Sequence, residues 1–146
     1  MTVLLIAEDF EDIAMILIRV YKKAGMTVLH APDGVAALEL ALKHRPDVIL
    51  TDLGMPRMDG WELIRSVRGH DELHDTPIAI LSGQLQPGDA RAAEAGACTV
   101  LLKPCPKDEL LTAVEQLAVR GPHRHSRTAE ERTQRPHSVS ARVCHR

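Results

Sequence analysis

Short apolar runs alternate along the chain with stretches whose apolar residues recur every three or four positions. Val3 to Ala7 is a continuous apolar run of strand length. Ile13, Leu17, Val20 and Tyr21 then recur at helical spacing up to Gly25, which suits a helix stop. Met26 to His30 reads as a second strand, and Asp33, in a Pro-Asp-Gly turn, can cap a helix carrying Ala37, Leu38, Ala41 and Leu42. Val48 to Thr51 is a third strand, and Gly60 opens a helix with Leu63, Ile64 and Val67 on one side. Pro77 starts a fourth strand, Ile78 to Leu81, followed by an Ala-rich helix from Asp89 to Ala95 that Gly96 ends. Thr99 to Leu102 is a fifth strand, and Leu110, Leu111, Val114 and Leu117 mark a fifth helix. Five strand-helix repeats predict an α/β fold, a parallel sheet with helices on both faces.

At 146 residues the chain is the size of one domain, and a hydrophobic content of 45% supports an ordinary core. Charge is unevenly distributed. Residues 1–119 carry 11 Lys/Arg against 18 Asp/Glu, whereas residues 120–146 carry 7 Arg against 2 Glu. An acidic body argues against nucleic acid as its main ligand. The tail, residues 120–146, is basic and poor in large apolar groups, so disorder is expected there. Thr128 to Glu131 fits a capping box for a short helix, and His123 and His125 are weak candidates for metal binding. No stretch approaches the length of a membrane span and no basic leader precedes the first strand, so a cytoplasmic protein is expected. Cys98, Cys105 and Cys144 are odd in number and lack zinc spacing, which argues against a disulfide framework or structural metal. Cys105, between two prolines, reads as a structural or incidental cysteine more readily than as a reactive thiol near the site.

In a parallel sheet, side chains just past the strand ends meet at one edge. Glu8 and Asp9 follow the first strand, Asp52 the third, Ser82-Gly83 the fourth and Lys103-Pro104 the fifth. Three clustered carboxylates raise one another's pKa unless a cation sits among them, which points to a hard divalent ion such as Mg²⁺. Lys103 supplies a point charge and Ser82 a hydroxyl, groups that stabilise the oxygens of a transferring phosphoryl group. The edge is suited to phosphate on Asp52. Singly, each residue has a bland reading: Glu8 and Asp9 as caps of the first helix, Asp52 and Ser82-Gly83 as turn residues, and Lys103 as a solvated lysine.

These residues, in this order, resemble the receiver domain of two-component response regulators, the CheY-like superfamily. The resemblance covers residues 2–119 and rests on Glu8-Asp9, Asp52-Leu53-Gly54-Met55-Pro56-Arg57-Met58-Asp59-Gly60, Ser82-Gly83, Gly96-Ala97 and Lys103-Pro104. It implies a flavodoxin-like (βα)5 three-layer sandwich with a five-stranded parallel sheet of order 2-1-3-4-5. It also implies that Asp52 accepts a phosphoryl group from a sensor histidine kinase or phosphotransfer protein. Asp9, Asp52 and the backbone carbonyl of Gly54 would hold Mg²⁺, with Glu8 acting directly or through water, and Ser82 and Lys103 would contact the phosphoryl oxygens. A cis peptide is implied before Pro104.

One departure from the family pattern concerns output. Receivers commonly carry Tyr or Phe three residues before the lysine, and here that residue is Val100. Phosphorylation is therefore expected to be chemically intact, with altered transmission. The tail is too short for a DNA-binding output domain, so a stand-alone receiver is expected, signalling through contacts with a downstream protein target or by onward phosphotransfer, with self-catalysed phosphotransfer and autodephosphorylation rather than enzymatic turnover. A phosphorylation-independent scaffold is the alternative. A haloacid dehalogenase-type phosphatase ranks last, because that family expects a second Asp at the position of Gly54.

Overall fold

The computed structural model describes residues 2–83, 85, 89–121 and 140–142, the last three by their backbone. β1 (Val3–Ala7), α1 (Glu11–Lys23), β2 (Thr27–Ala31), α2 (Gly34–His44) and β3 (Val48–Thr51) form the first half. α3 (Gly60–Gly69), β4 (Ile78–Ser82), α4 (Ala90–Ala95), β5 (Thr99–Leu102) and α5 (Lys107–Arg120) form the second. β2 starts and ends one residue later than its apolar run predicts, and β4 includes Ser82. The Asp33 cap read from the sequence holds in atomic detail, and the Ala-rich helix starts one residue later than read, at Ala90. Asp33, Asp59 and Asp89 cap α2, α3 and α4, their carboxylates accepting from the amides of Ala36, Glu62 and Arg91.

The first five strands pair in parallel in the order β2-β1-β3-β4-β5, as the resemblance implies. A sixth, β6 (Ser140–Arg142), extends the sheet beyond β5, with Thr99 opposite Ser140 and Leu101 opposite Arg142. The expectation of a disordered tail is corrected for these three residues. Without them β5 would present a row of unpaired backbone groups, and any extended segment of the chain can satisfy it. The capping-box helix from Thr128 and the His123/His125 pair lie outside the described residues.

Alternation within the strands divides the core into two layers. Leu4 and Ile6 of β1 face the layer holding Leu17 and Tyr21 of α1 and Leu110, Val114 and Leu117 of α5. Leu5 and Ala7 face the opposite layer, with Ala37 and Ala41 of α2, Leu63, Ile64 and Val67 of α3, and Ala92 of α4. The Tyr21 hydroxyl donates to the Leu110 carbonyl at 2.9 Å, tying α1 to α5. Burial, followed by the charge of Glu115, pushes the Tyr21 phenol well above its ordinary value, so it stays a donor.

The second layer contains a buried guanidinium. Arg68 donates to the carbonyl of Gly96 at 3.0 and 2.7 Å and to those of His74 and Thr76 at 2.8 and 2.6 Å. One side chain thus joins the end of α3 to the loop before β4 and to the turn before β5. Gly96 sits at φ +99, and a Cβ there would lie 2.9 Å from Arg68 Nε, so backbone conformation and crowding both demand glycine. Among the described residues no helix is long and apolar enough to cross a membrane. Cys98 is buried and outside any disulfide, and Cys105 is disulfide-bonded, a structural cysteine rather than a reactive thiol.

Candidate phosphoacceptor site

The site lies where the C-terminal ends of β1, β3, β4 and β5 meet. Ala7 is level with Thr51 in the sheet, and the Asp52 amide donates to the Ala7 carbonyl at 3.0 Å, which sets Asp52 beside Glu8. Carboxylate oxygens of Glu8, Asp9 and Asp52 all lie within 4.8 Å of one another. Lys103 Nζ reaches in from the end of β5 and stands 3.5 Å from both Glu8 Oε2 and Asp52 Oδ2. The Lys103 amide donates to the Ser82 carbonyl at 2.9 Å, so the β4 and β5 ends carry Ser82 and Lys103 side by side. The Lys103–Pro104 peptide is cis, as the resemblance implies.

Capping does not account for the acids. Phe10 occupies the cap position of α1 and no side chain bonds there as a cap. Glu8 Oε1 instead accepts from the Phe10 amide at 3.2 Å, and the Glu8 carbonyl is 2.9 Å from His30 Nε2, which holds the β1 end to β2. Asp9 is exposed, Asp52 half-buried and Glu8 buried, at 2% exposure. The set therefore grades from a desolvated acid at the back to a solvent-facing one at the mouth. Asp9 also lines an open cavity of about 690 Å³ with Gly54, Met55, Asp59, Trp61 and Arg91.

The loop carrying Asp52 is held from both ends. Asp52 Oδ1 accepts from the Leu53 amide at 2.7 Å, and the Thr51 hydroxyl donates to the Asp52 carbonyl at 2.7 Å. Gly60 donates to the Leu53 carbonyl at 2.8 Å, and a Cβ on it would collide with the Asp52 carbonyl oxygen and sit 2.8 Å from Leu53 Cα. Only glycine lets α3 start against the back of this loop. The far end is clamped by Arg57, at φ +65, whose Nε donates to Asp33 Oδ2 at 3.0 Å in an ion pair. The Ala36 amide and then Arg57 hold the Asp33 carboxyl below its usual range, so it stays charged at neutral pH.

Electrostatically the cluster is unbalanced. Burial, and then the negative charge of Asp52, raise the Glu8 carboxyl above its ordinary value, while Lys103 opposes them. Three carboxylates face one ammonium, and all the donors are hard oxygens, the type that suits a small divalent cation. The donor set fits the ion predicted from the sequence.

Glu8, Asp9, Asp52 and Lys103 are thus brought together as predicted, Ser82 stands next to Lys103 through the sheet, and Gly54 lines the mouth with Asp9. The Arg57–Asp33 clamp was not predicted, and neither was the close approach at Gly60. The Asp33-Gly34 turn and the helix opening at Gly60 were visible in the sequence, but nothing in a sequence says which loops they will press against.

A family model described as the response regulator receiver domain matches residues 4–115. The chain belongs to that family. It is 36% identical over 114 residues to the transcriptional regulatory protein PrrA of Mycobacterium tuberculosis, spanning 77% of this chain and 48% of that one. The chain thus spans about half the length of the PrrA relatives. Against sporulation initiation phosphotransferase F of Bacillus subtilis it is 34% identical, over 77% of this chain and 90% of the relative. Among solved structures, the Vibrio cholerae chemotaxis protein CheY4 superposes with a TM-score of 0.76 at 32% identity, covering 80% of this chain and 98% of CheY4. The receiver domain of the Pseudomonas aeruginosa sensor histidine kinase PA1611, whose active-site cleft coordinates magnesium, superposes with a TM-score of 0.75 at 26% identity, covering 81% and 98%. The fold and family read from the sequence are those of a CheY-like receiver of two-component signalling.

Proposed function

We propose that Asp52 is the phosphoacceptor and that the chain signals through its phosphorylation. The observation that carries this reading is the position of Lys103 Nζ, 3.5 Å from Asp52 Oδ2 and from Glu8 Oε2, at the mouth of a three-carboxylate cluster. The donor is a phosphohistidine on a sensor kinase or phosphotransfer protein. An Asp52 carboxylate oxygen attacks the phosphorus in line, the bond from phosphorus to the imidazole nitrogen breaks, and the histidine leaves with the electron pair. Lys103 neutralises charge on the phosphoryl oxygens, and Ser82, on the neighbouring strand end, supplies a hydroxyl donor.

Glu8, Asp9, Asp52 and the Gly54 carbonyl would hold Mg²⁺. When bound, the ion offsets the charge gathered on the acids and the incoming phosphoryl group. Water later cleaves the acyl phosphate, so the chain processes its own phosphoryl group rather than turning over a foreign substrate. A kinase charged by ATP makes this a cytoplasmic exchange, and the phosphorylated form passes the signal to a downstream protein or to a second histidine.

Incubation with Mg²⁺ and acetyl phosphate tests the reading by intact mass. One phosphoryl adduct is expected, absent in Asp52→Asn; an adduct that survives this substitution, or none from acetyl phosphate and any kinase tried, overturns it. A phosphate-independent scaffold is the second reading. It is favoured by Val100, a buried β5 residue at the position where receivers commonly carry Tyr or Phe.

A further inference from the structure

The loop from Asp52 to Gly60 is fastened at both ends. At the near end the Asp52 amide donates to the Ala7 carbonyl at 3.0 Å, and the Gly60 amide to the Leu53 carbonyl at 2.8 Å. At the far end the Gly34 amide donates to the Met58 carbonyl at 3.0 Å. There Arg57 also reaches back to Asp33 Oδ2, through Nε at 3.0 Å and through Nη2. Between these anchors lie Gly54, Met55 and Pro56. Met55 is buried, whereas Gly54 is exposed, so the direction of the Gly54 carbonyl is set by how the chain on either side is held.

The far anchor holds a strained residue. Arg57 sits at φ +65, in the left-handed region that a long side chain rarely adopts. Such a conformation persists only where its surroundings over-determine it. Here they do: Asp33 is 3% exposed and is fixed as the cap of α2 by the Ala36 amide at 2.8 Å. Gly34 presses so closely on Met58 that a Cβ would overlap the Met58 carbonyl oxygen. Arg57 itself is largely exposed, and an ion pair with one exposed partner contributes little to stability. Its cost in backbone strain therefore calls for an effect other than stability.

We propose that the Arg57–Asp33 pair is a positioning device that aims the Gly54 carbonyl at the divalent cation, so that α2 tunes Mg²⁺ affinity beside Asp52 without supplying a ligand. The inference rests on the reading of Asp9, Asp52 and Gly54 as the groups that hold the ion. Removing a partner that orients a ligand lowers metal affinity by about ten- to a hundredfold. With one carbonyl among several ligand groups, the low end, about tenfold, is expected. The sign is diagnostic. Through space alone, loss of the Arg57 charge would tighten binding of another cation, whereas loss of positioning weakens it.

The test is a titration of the full chain with Mg²⁺ alone, followed by the amide resonances of Asp9 and Gly54. Arg57→Gln should weaken Mg²⁺ binding about tenfold. Arg57→Gly, which suits the positive φ, should melt close to the natural protein and show the same weakening. Asp33→Asn keeps the cap of α2 and should also weaken binding. The double variant Arg57→Gln with Asp33→Asn should bind no more weakly than either single variant, because the two residues act as one unit. At saturating Mg²⁺, acetyl phosphate should phosphorylate all of them at close to the natural rate. Unchanged or tighter Mg²⁺ binding in both Arg57 variants would overturn the clamp alone, as would additive losses in the double variant. A natural protein whose Asp9 and Gly54 resonances ignore Mg²⁺ would overturn the clamp together with the assigned metal ligands.

Discussion

At the scale of single residues, the site is defined by an acid that is uncomfortable in the absence of a cation. Glu8 is 2% exposed, and burial together with Asp52 raises its carboxyl above the ordinary 4.5. Between that value and the raised one the folded chain binds more protons than the unfolded chain. Stability contributed by the protonated group is therefore present at low pH and lost as pH rises through the folded value. Glu8→Gln removes the charge and keeps the shape. Without Mg²⁺ the variant is expected to melt a few degrees above the natural protein at neutral pH, with the gap closing below pH 4.5. With Mg²⁺ added, the natural protein should gain more than the variant. Thermal melts across pH, with and without Mg²⁺, check this, and a variant that melts lower at neutral pH without the ion would contradict it. These acids were legible in the sequence because lone carboxylates after apolar runs have little other reason to be there. The Arg57–Asp33 clamp was not, because it joins residues 24 positions apart whose loops meet only in the folded chain.

At the scale of elements, hydrophobic periodicity located all five strands and helices of the receiver body, since strand runs and helical stripes differ in both length and period. Starts were especially clear, because Asp33, Asp59 and Asp89 bond amides two or three residues ahead and need no tertiary partner. Arg68 was hidden for the opposite reason. It follows Val67 at the end of α3, reads as a solvated helical arginine, and is buried only because three separate carbonyls converge on it. Arg68→Met leaves the carbonyls of Gly96, His74 and Thr76 without these donors and is expected to destabilise the fold by about 3 kcal/mol. Denaturant unfolding measures this, and a loss below about 1 kcal/mol would show that the network contributes little. The brief β6 was equally illegible. Three residues carry no periodicity, and their pairing depends on an edge presented by β5.

At the scale of the whole molecule, a receiver must carry an event at Asp52 outward to a surface. A ligand shifts a conformational equilibrium only by its differential affinity for the two states, so some element must differ between them. Val100 is a poor choice for that element. It is 5% exposed, packs in the layer with Ile80 and Ala92, and is β-branched, with one stiff torsion and no ring to move from solvent to core. Closure around the phosphoryl group can still draw Ser82 and Lys103 inward without repacking the layer beneath α4. Beryllofluoride with Mg²⁺, used as a phosphoryl mimic on Asp52, should therefore shift amide resonances at residues 8–9, 52–60, 82–83 and 103–104, while those of residues 90–101 and 107–118 stay close to their free positions. Val100→Tyr should extend the shifts into α4 and β5 if a movable aromatic is what the chain lacks. Large shifts across α4, β5 and α5 in the natural protein would show that transmission runs without an aromatic switch.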